Sequence, residues 1–337
     1  MRNPTLAAGL FAASMTATAF GTSAAQADDT PVLTVYTYDS FVSSWGPGPG
    51  ITEAFEAICD CELNLVGAGD GAALLARLQL EGTRTEADVV LGLDTNLTAR
   101  ALETGLFAPH GIEADLDLPI AWDDPNFLPF DWGWFAFVHD RTRTPAPPAN
   151  FRELIDSDLS VVIQDPRSST PGLGLLMWVK AAYGDEAAEI WEGLAPRILT
   201  VTAGWSEAYG LFLDGEADLV LSYTTSPAYH LIAEDDDSKA AAPFEEGHYM
   251  QIEVAGIVAE TDQPELARQF MAFMLTEDFQ SVIPTTNWMY PAVTPQDGLP
   301  EGFETLHRPE TSLLFSADEA AALRDTALDE WRDALAR

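Results

Sequence analysis

The chain has 337 residues, a formal net charge of −38 at pH 7 and only two lysines, Lys180 and Lys239. This composition excludes the basic surface on which nucleic-acid binding depends, and we expect no nucleic-acid partner. The acidity either keeps the protein soluble or attracts a cationic ligand, and the sequence leaves both interpretations open.

Residues 1–27 have the pattern of a signal peptide. Arg2 supplies a positive charge, an apolar run covers residues 6–20, and A-Q-A at 25–27 is a cleavage pattern. The apolar run is too short and too rich in alanine for a good membrane anchor. We therefore predict secretion. Cleavage leaves 337 − 27 = 310 residues, which is more than one typical hydrophobic core, so two lobes are expected.

Strands and helices alternate in the first part of the mature chain. The pattern predicts, in order, a strand at 33–37, a helix at 51–57, a strand at 62–66, a helix at 72–80 and a strand at 87–93. This βαβαβ order predicts a parallel sheet with helices on both faces. Ligands of such sheets bind at the carboxyl ends of the strands.

A second α/β unit follows. Residues 134–140 predict a strand that crosses between lobes, and "PANFRELI" opens a helix. A strand, a polar turn and a helix from about Thr170 come next, and later an amphipathic helix at 263–275 and a helix from Ser316. We predict an α/β fold whose lobes divide as follows: 28–133 for the first part of lobe 1, 134–245 for lobe 2, and 246–337 for the return to lobe 1 with the C-terminal helices.

Both cysteines lie in one C-x-C sequence, Cys59 and Cys61. In an exported protein this spacing favours a small local disulfide. A free reactive thiol or a metal-binding pair are the alternatives, although no histidine stands near in sequence to complete a zinc site. The chain has no P-loop, dinucleotide-binding fingerprint or nucleophile elbow, and we expect no enzyme activity.

The loops that follow the predicted strands share one chemistry. They combine flat aromatic faces, short hydroxyl side chains and a carboxylate, which suits a flat heteroaromatic ligand with a positive charge. Core packing of the tryptophans and helix capping by Ser169 and Thr170 are the alternatives. The candidate ligand-binding residues are Tyr38, Trp45, Asp70, Gly71, Ser169, Thr170, Trp205, Tyr223, Thr224, Thr225, Ser226, Tyr229 and Trp288.

Several long motifs resemble one family, the periplasmic thiamine-binding proteins of ABC transporters. They are "LTVYTYDSF…WGPGP", "ADVVLGLD", "QDPRSSTPGLGLL", "TVTAGWSEAYGLFL", "DLVLSYTTSPAYH", "EGHYMQIE" and "NWMYP". The resemblance implies a two-lobed type II periplasmic-binding fold with a ligand cleft between lobes. It also implies thiamine, thiamine monophosphate or thiamine diphosphate as the transported ligand, delivery to a membrane permease, and a periplasmic location. We expect a monomer with no cofactor.

The resemblance also assigns the ligand contacts. It places them on Asp70 with Gly71, Ser169 with Thr170, Trp205, and residues 223–226. It puts a further group of aromatic residues near the ligand, namely Tyr38, Trp45, Tyr229 and Trp288. Asp70 or the backbone could meet the aminopyrimidine, and the hydroxyl groups could meet a phosphate tail.

Three other functions are compatible with this fold. A thiaminase would need Cys59 or Cys61 as its nucleophile, and neither has a base beside it in sequence. A ferric-ion-binding protein would use paired tyrosines, but Tyr223 and Tyr229 are not adjacent. A polyamine-binding protein usually has more carboxylates among its aromatic residues.

Overall fold

Two parallel three-stranded sheets are joined by two long antiparallel strands into a continuous mixed sheet. The computed structural model describes Met1 and residues 30–336; apart from Met1, the predicted signal peptide lies outside the described residues. The strands are β1 (Val32–Thr37), β2 (Glu62–Gly67), β3 (Val89–Asp94), β4 (Phe107–Ala108), β5 (Phe127–Asp140), β6 (Val161–Gln164), β7 (Ile198–Thr202), β8 (Leu219–Tyr223), β9 (Lys239–Ala241), β10 (His248–Val258), β11 (Tyr290–Pro291) and β12 (Ser312–Leu313).

Helices cover the faces of these sheets. They are α1 (Asp39–Val42), α2 (Gly48–Cys59), α3 (Gly71–Glu81), α4 (Thr98–Glu103), α5 (Phe151–Asp156), α6 (Thr170–Tyr183), α7 (Ala187–Leu194), α8 (Trp205–Leu213), α9 (Pro227–Ala233), α10 (Pro264–Phe273), α11 (Glu277–Gln280) and α12 (Ala317–Leu335). The last helix begins with a capping box formed by Ser316 and Glu319, and it packs against α6 and α7. Within the described part of the chain, no helix is both long and apolar enough to cross a membrane.

The strand order is β2-β1-β3-β10-β5-β8-β6-β7. In the first lobe β1 runs parallel to β2 and β3, and in the second lobe β6 runs parallel to β7 and β8. Strand β5 connects them because residues 127–134 pair with β10 and residues 135–139 pair with β8. The predicted two-lobed α/β fold is confirmed, as are the first βαβαβ unit and the helix from Thr170.

The strand predicted at 134–140 begins seven residues too late, since β5 starts at Phe127. Pro129 and Asp131 interrupt the apolar pattern there. The register between β5 and β10 shifts at this point, with Val254 opposite Pro129 and Glu253 opposite Asp131. A proline is tolerated beside such an irregularity because no ladder hydrogen bond is required of it.

Candidate functional site

A cleft of about 410 Å³ lies between the lobes, at the carboxyl ends of the parallel strands. Its walls come from both lobes, as the topology predicts. The predicted residues that line it are Tyr38, Trp45, Asp70, Gly71, Thr170, Trp205, Tyr223, Ser226, Tyr229 and Trp288. The lining also includes Ser40, Pro171, Ser206, Tyr209, Gly210, Leu213, Gln251, Glu253, Thr286, Asn287 and Met289, which the sequence analysis did not single out.

The aromatic walls face each other across the cleft. Trp45 of the first lobe and Trp205 of the second have ring centroids 6.4 Å apart. Trp205 stacks on Tyr209 with centroids 5.0 Å apart, and its indole N–H donates to Ser222 Oγ at 2.7 Å. Trp205 is half-buried. These contacts fix the indole from behind and leave it lining the cleft, so core packing and ligand contact are compatible at this residue.

Three helices begin close together at one end of the cleft. Asp70 precedes α3, Ser169 precedes α6, and α8 starts at Trp205. The Oδ2 atom of Asp70 accepts hydrogen bonds from Ser169 Oγ at 2.7 Å and from the Trp205 amide at 3.1 Å. The Gly71 amide donates to Thr170 Oγ1 at 3.1 Å. These bonds link the two lobes, and they show that Ser169 does not cap its own helix with its side chain.

The carboxyl group of Asp70 sits where N–H groups of helix starts point, which favours negative charge. Its burial raises its pKa, while the hydrogen bonds from Ser169 and the Trp205 amide act in the opposite direction. An anionic ligand group could use these donors in place of the Asp70 carboxyl, because oxygen atoms of a phosphate have the same preference for N–H and O–H donors.

Three predicted residues lie behind the lining of the cleft. Ser169, Thr224 and Thr225 have no exposed surface. Ser169 bonds to Asp70, and Thr225 Oγ1 contacts Met289 Sδ at 3.6 Å. In the neighbouring turn, Ser226 Oγ accepts from the Tyr223 amide at 3.1 Å, which holds the turn after β8 in shape.

A row of three buried carboxyl groups lies beneath the cleft. Glu253 on β10 is directly opposite Asp94 on β3 and Asp131 on β5. The Tyr38 hydroxyl donates to Glu253 Oε2 at 2.9 Å, and Asn287 Nδ2 donates to Asp131 Oδ2 at 2.5 Å. Polar residues within the buried strand "HYMQIEVAGIV" are the sequence signal that could have identified this row, since buried carboxyls are uncommon in strands.

Burial keeps these groups protonated more readily than usual. It raises the pKa of the Asp94 carboxyl to about 7, against hydrogen bonds from Asn96 that lower it. It also raises the pKa of Asp131, and burial together with the neighbouring Asp131 raises the pKa of Glu253. Adjacent carboxyls cannot all ionise in a dry site, so the row holds at least part of its protons near neutral pH.

Cys59 and Cys61 form a disulfide with Cα atoms 5.1 Å apart. The bridge begins at Cys59, the last residue of α2, and Asp60 between the two cysteines adopts a left-handed conformation with φ of 50°. Neither cysteine is among the residues that line the cleft.

Comparisons with known proteins find relatives along most of the chain. Residues 49–281 match the family model of the bacterial extracellular solute-binding proteins. The thiamine-binding periplasmic protein of Escherichia coli K12 is 55% identical over 310 residues, covering 91% of this chain and 94% of that protein. The protein of the same name from Brucella suis is 52% identical over 317 residues, covering 93% of this chain and 94% of that one.

Solved structures show the same fold. A periplasmic thiamin binding protein matches with a TM-score of 0.89 and 55% identity, covering 91% of this chain and 97% of that chain. Iron-bound HitA from Pseudomonas aeruginosa matches with a TM-score of 0.71 over 90% of this chain and 99% of that one, but at 19% identity it shares only the fold. By its family match and its identity to full-length relatives, the chain belongs to the bacterial extracellular solute-binding proteins and, within them, to the periplasmic thiamine-binding family.

Proposed function

We propose that this protein captures thiamine, thiamine monophosphate and thiamine diphosphate in the periplasm and delivers them to the permease of an ABC transporter. The main support for this function is the cleft, which is lined by aromatic residues from both lobes. Its volume of about 410 Å³ is in the range of small-molecule sites. The names of relatives at 51–55% identity support thiamine as the ligand.

The aromatic walls suit the thiazolium ring. This ring is a permanent cation, and the faces of Trp45, Trp205 and Trp288 attract cations at ~0.5 to 2 kcal/mol per contact. Aromatic stacking does not require burying a counter-charge, so it avoids the desolvation cost of a buried ion pair. The thiazolium therefore lies between the tryptophans of the two lobes.

The helix starts suit the other end of the ligand. The Gly71 amide, the Trp205 amide and the hydroxyls of Ser169 and Thr170 converge near Asp70. A hydroxyethyl or phosphate tail can bind at such a cluster of donors. We also propose that the protein acts as a monomer without a cofactor; a cleft whose lining comes from both lobes of a single chain supports the first part.

The enzyme and iron-binding alternatives are not favoured. A thiaminase needs a free thiol, but both cysteines are joined to each other and lie outside the cleft lining. Burial and nearby carboxylates raise the pKa of Tyr223, and a hydrogen bond to Glu234 raises that of Tyr229. Neither phenol is therefore predisposed to ionise as a ferric ligand.

The disulfide gives a direct prediction. The intact mass of the non-reduced, exported protein should be two hydrogens below that of the dithiol. Replacing Cys59 and Cys61 by serine should leave thiamine affinity unchanged, because neither cysteine lines the cleft and the bridge closes a short loop with a small entropic effect. Two thiols that react with a labelling reagent would contradict the first expectation, and loss of binding in the double variant would contradict the second.

Isothermal titration calorimetry of the mature protein tests the proposed function. Thiamine and its two phosphates are each titrated, with ferric citrate and spermidine as controls for the alternatives. We expect saturable one-to-one binding of thiamine and of at least one phosphate form, and no heat from either control ligand. Binding of a control ligand without binding of thiamine would overturn the proposal.

A further inference from the structure

Gln251 has a buried amide with no hydrogen-bonding partner. It lies on β10, has no exposed surface and is among the residues that line the cleft. Within residues 30–336, neither its Oε1 nor its Nε2 makes a hydrogen bond. Burying an unpaired amide costs free energy, and nearly all buried polar groups in native proteins are paired. This amide therefore needs an explanation other than packing.

Gln251 belongs to the lining of the cleft, although its amide atoms have no exposed surface, so its side chain must turn toward the cleft to meet a ligand. Gln251 and Glu253 are alternate residues of β10 and share one face of the sheet. The carboxyl group of Glu253 accepts a hydrogen bond from the Tyr38 hydroxyl. Opposite Gln251 on β5 is Gly133, and the methyl group of Met289 occupies the space that a side chain at 133 would take. A methyl group cannot pair with an amide, so the neighbouring residue on β5 leaves Gln251 unsatisfied.

An unpaired glutamine amide selects a specific kind of ligand. It presents a donor and an acceptor side by side. The complement is a flat ring edge on which an amine stands next to a ring nitrogen, as when Asn or Gln binds the edge of adenine. A 4-aminopyrimidine has this edge. Asp70, the other candidate for this contact, accepts hydrogen bonds from Ser169 and the Trp205 amide on Oδ2 alone, and as a carboxylate it offers no donor for the ring nitrogen.

We propose that Gln251 is the specificity-determining residue for the aminopyrimidine ring of the ligand. Its Oε1 accepts a hydrogen bond from the exocyclic amine, and its Nε2 donates to the adjacent ring nitrogen. This inference rests on the proposed function and deepens it. It also orients the ligand, with the pyrimidine at β10 and the alcohol or phosphate tail at the starts of α3, α6 and α8.

The test compares two ligands on two proteins by calorimetry. The ligands are thiamine and an analogue in which hydrogen replaces the 4-amino group. The variant is Gln251→Met, which keeps the length of the side chain and removes both polar atoms. The unaltered protein should prefer thiamine over the analogue by at least about tenfold, and the variant should lose about 10- to 100-fold in thiamine affinity and most of that preference.

Thermal stability without ligand separates recognition from a structural role. Gln251→Met should keep or raise the melting temperature, because an unpaired buried amide is replaced by an apolar group of similar shape. Gln164→Met is the matched control. The Gln164 side chain is also fully buried and its Oε1 is also unpaired, but its Nε2 donates to the Leu221 carbonyl at 2.9 Å and it is outside the cleft lining. That variant should lose stability and keep the ligand preference.

Several results would overturn the inference. Equal affinity of the unaltered protein for the two ligands would do so even if Gln251→Met failed to fold. An equal loss for both ligands in the variant, or no loss for either, would also exclude recognition of the amine by Gln251. If thiamine did not bind the unaltered protein at all, the proposed function would fail instead, so the two failures are distinguishable.

Discussion

Replacing Trp205 by alanine should weaken thiamine binding by roughly 1 to 3 kcal/mol, through lost stacking and lost apolar contact. The indole lines the cleft and is held in place from behind by Tyr209 and Ser222. Its orientation is therefore fixed before the ligand arrives, so little side-chain entropy is lost on binding. Trp205→Phe should recover part of the affinity because an aromatic face remains. Calorimetry gives the affinities.

Melting temperatures of Trp205→Ala and Trp205→Phe show whether these changes act on stability rather than on binding. A variant of another tryptophan serves as the control. Trp191 is buried away from the cleft lining. Trp191→Phe should lower the melting temperature and leave the dissociation constant for thiamine unchanged. If Trp205→Ala behaved in the same way, with lower stability and normal affinity, Trp205 would be a core residue only and its proposed contact with the thiazolium ring would be wrong.

Replacing Asp94 by asparagine should stabilise the protein increasingly as pH rises from 5 to 8. In the folded state burial raises the pKa of Asp94 to about 7, whereas in an unfolded chain it is ~3.9. Between these values the folded state binds more protons, so the contribution of Asp94 to stability is complete below pH ~4 and is lost as pH approaches and passes 7. The difference in unfolding free energy between variant and unaltered protein should shift by roughly 2 to 3 kcal/mol over this range.

Measuring that difference by urea unfolding at several pH values removes the effects of groups that do not interact with Asp94. The buried His248, for example, has its pKa lowered to about 4 by burial, and its titration acts in the opposite direction below pH ~6.5. Asp140→Asn is a control in which the expected change in stability has the opposite sign. Although burial opposes it, hydrogen bonds from Thr142 and Lys239 lower the pKa of Asp140 to about 2, so that variant should lose stability at pH 7. A difference for Asp94→Asn that stays constant with pH would exclude a raised pKa.

Much of the fold could be predicted because its parallel parts have the simplest sequence pattern. Strand β3 is buried at every residue and is preceded by an amphipathic helix, which predicts a βαβ unit. The two long antiparallel strands, β5 and β10, were harder to predict. Proline and aspartate interrupt β5, and β10 carries His248, Gln251 and Glu253 within an otherwise apolar run. Those polar residues made the length of the strand difficult to predict. Two of them, Gln251 and Glu253, line the cleft.

The candidate site could be predicted in its aromatic and hydroxyl parts, since strand ends in a parallel sheet meet at one edge. The row of three buried carboxyl groups could not be predicted. Asp94, Asp131 and Glu253 are distant in sequence and become neighbours only through the register of three strands. The sequence also did not predict which side chains of a loop face the cleft. Thr224 and Thr225 stand in the same loop as Tyr223 and Ser226 but are fully buried behind the cleft.

A crystal structure of the mature protein with thiamine is the most direct test of the central claim, that a cation is held between aromatic residues of both lobes. We expect the thiazolium ring within ~6 Å of the rings of Trp45 and Trp205. We also expect the alcohol or phosphate tail at the Gly71 and Trp205 amides. Thiamine bound outside the cleft, or inside it with the thiazolium away from both tryptophans, would show that the aromatic residues do not hold the cation.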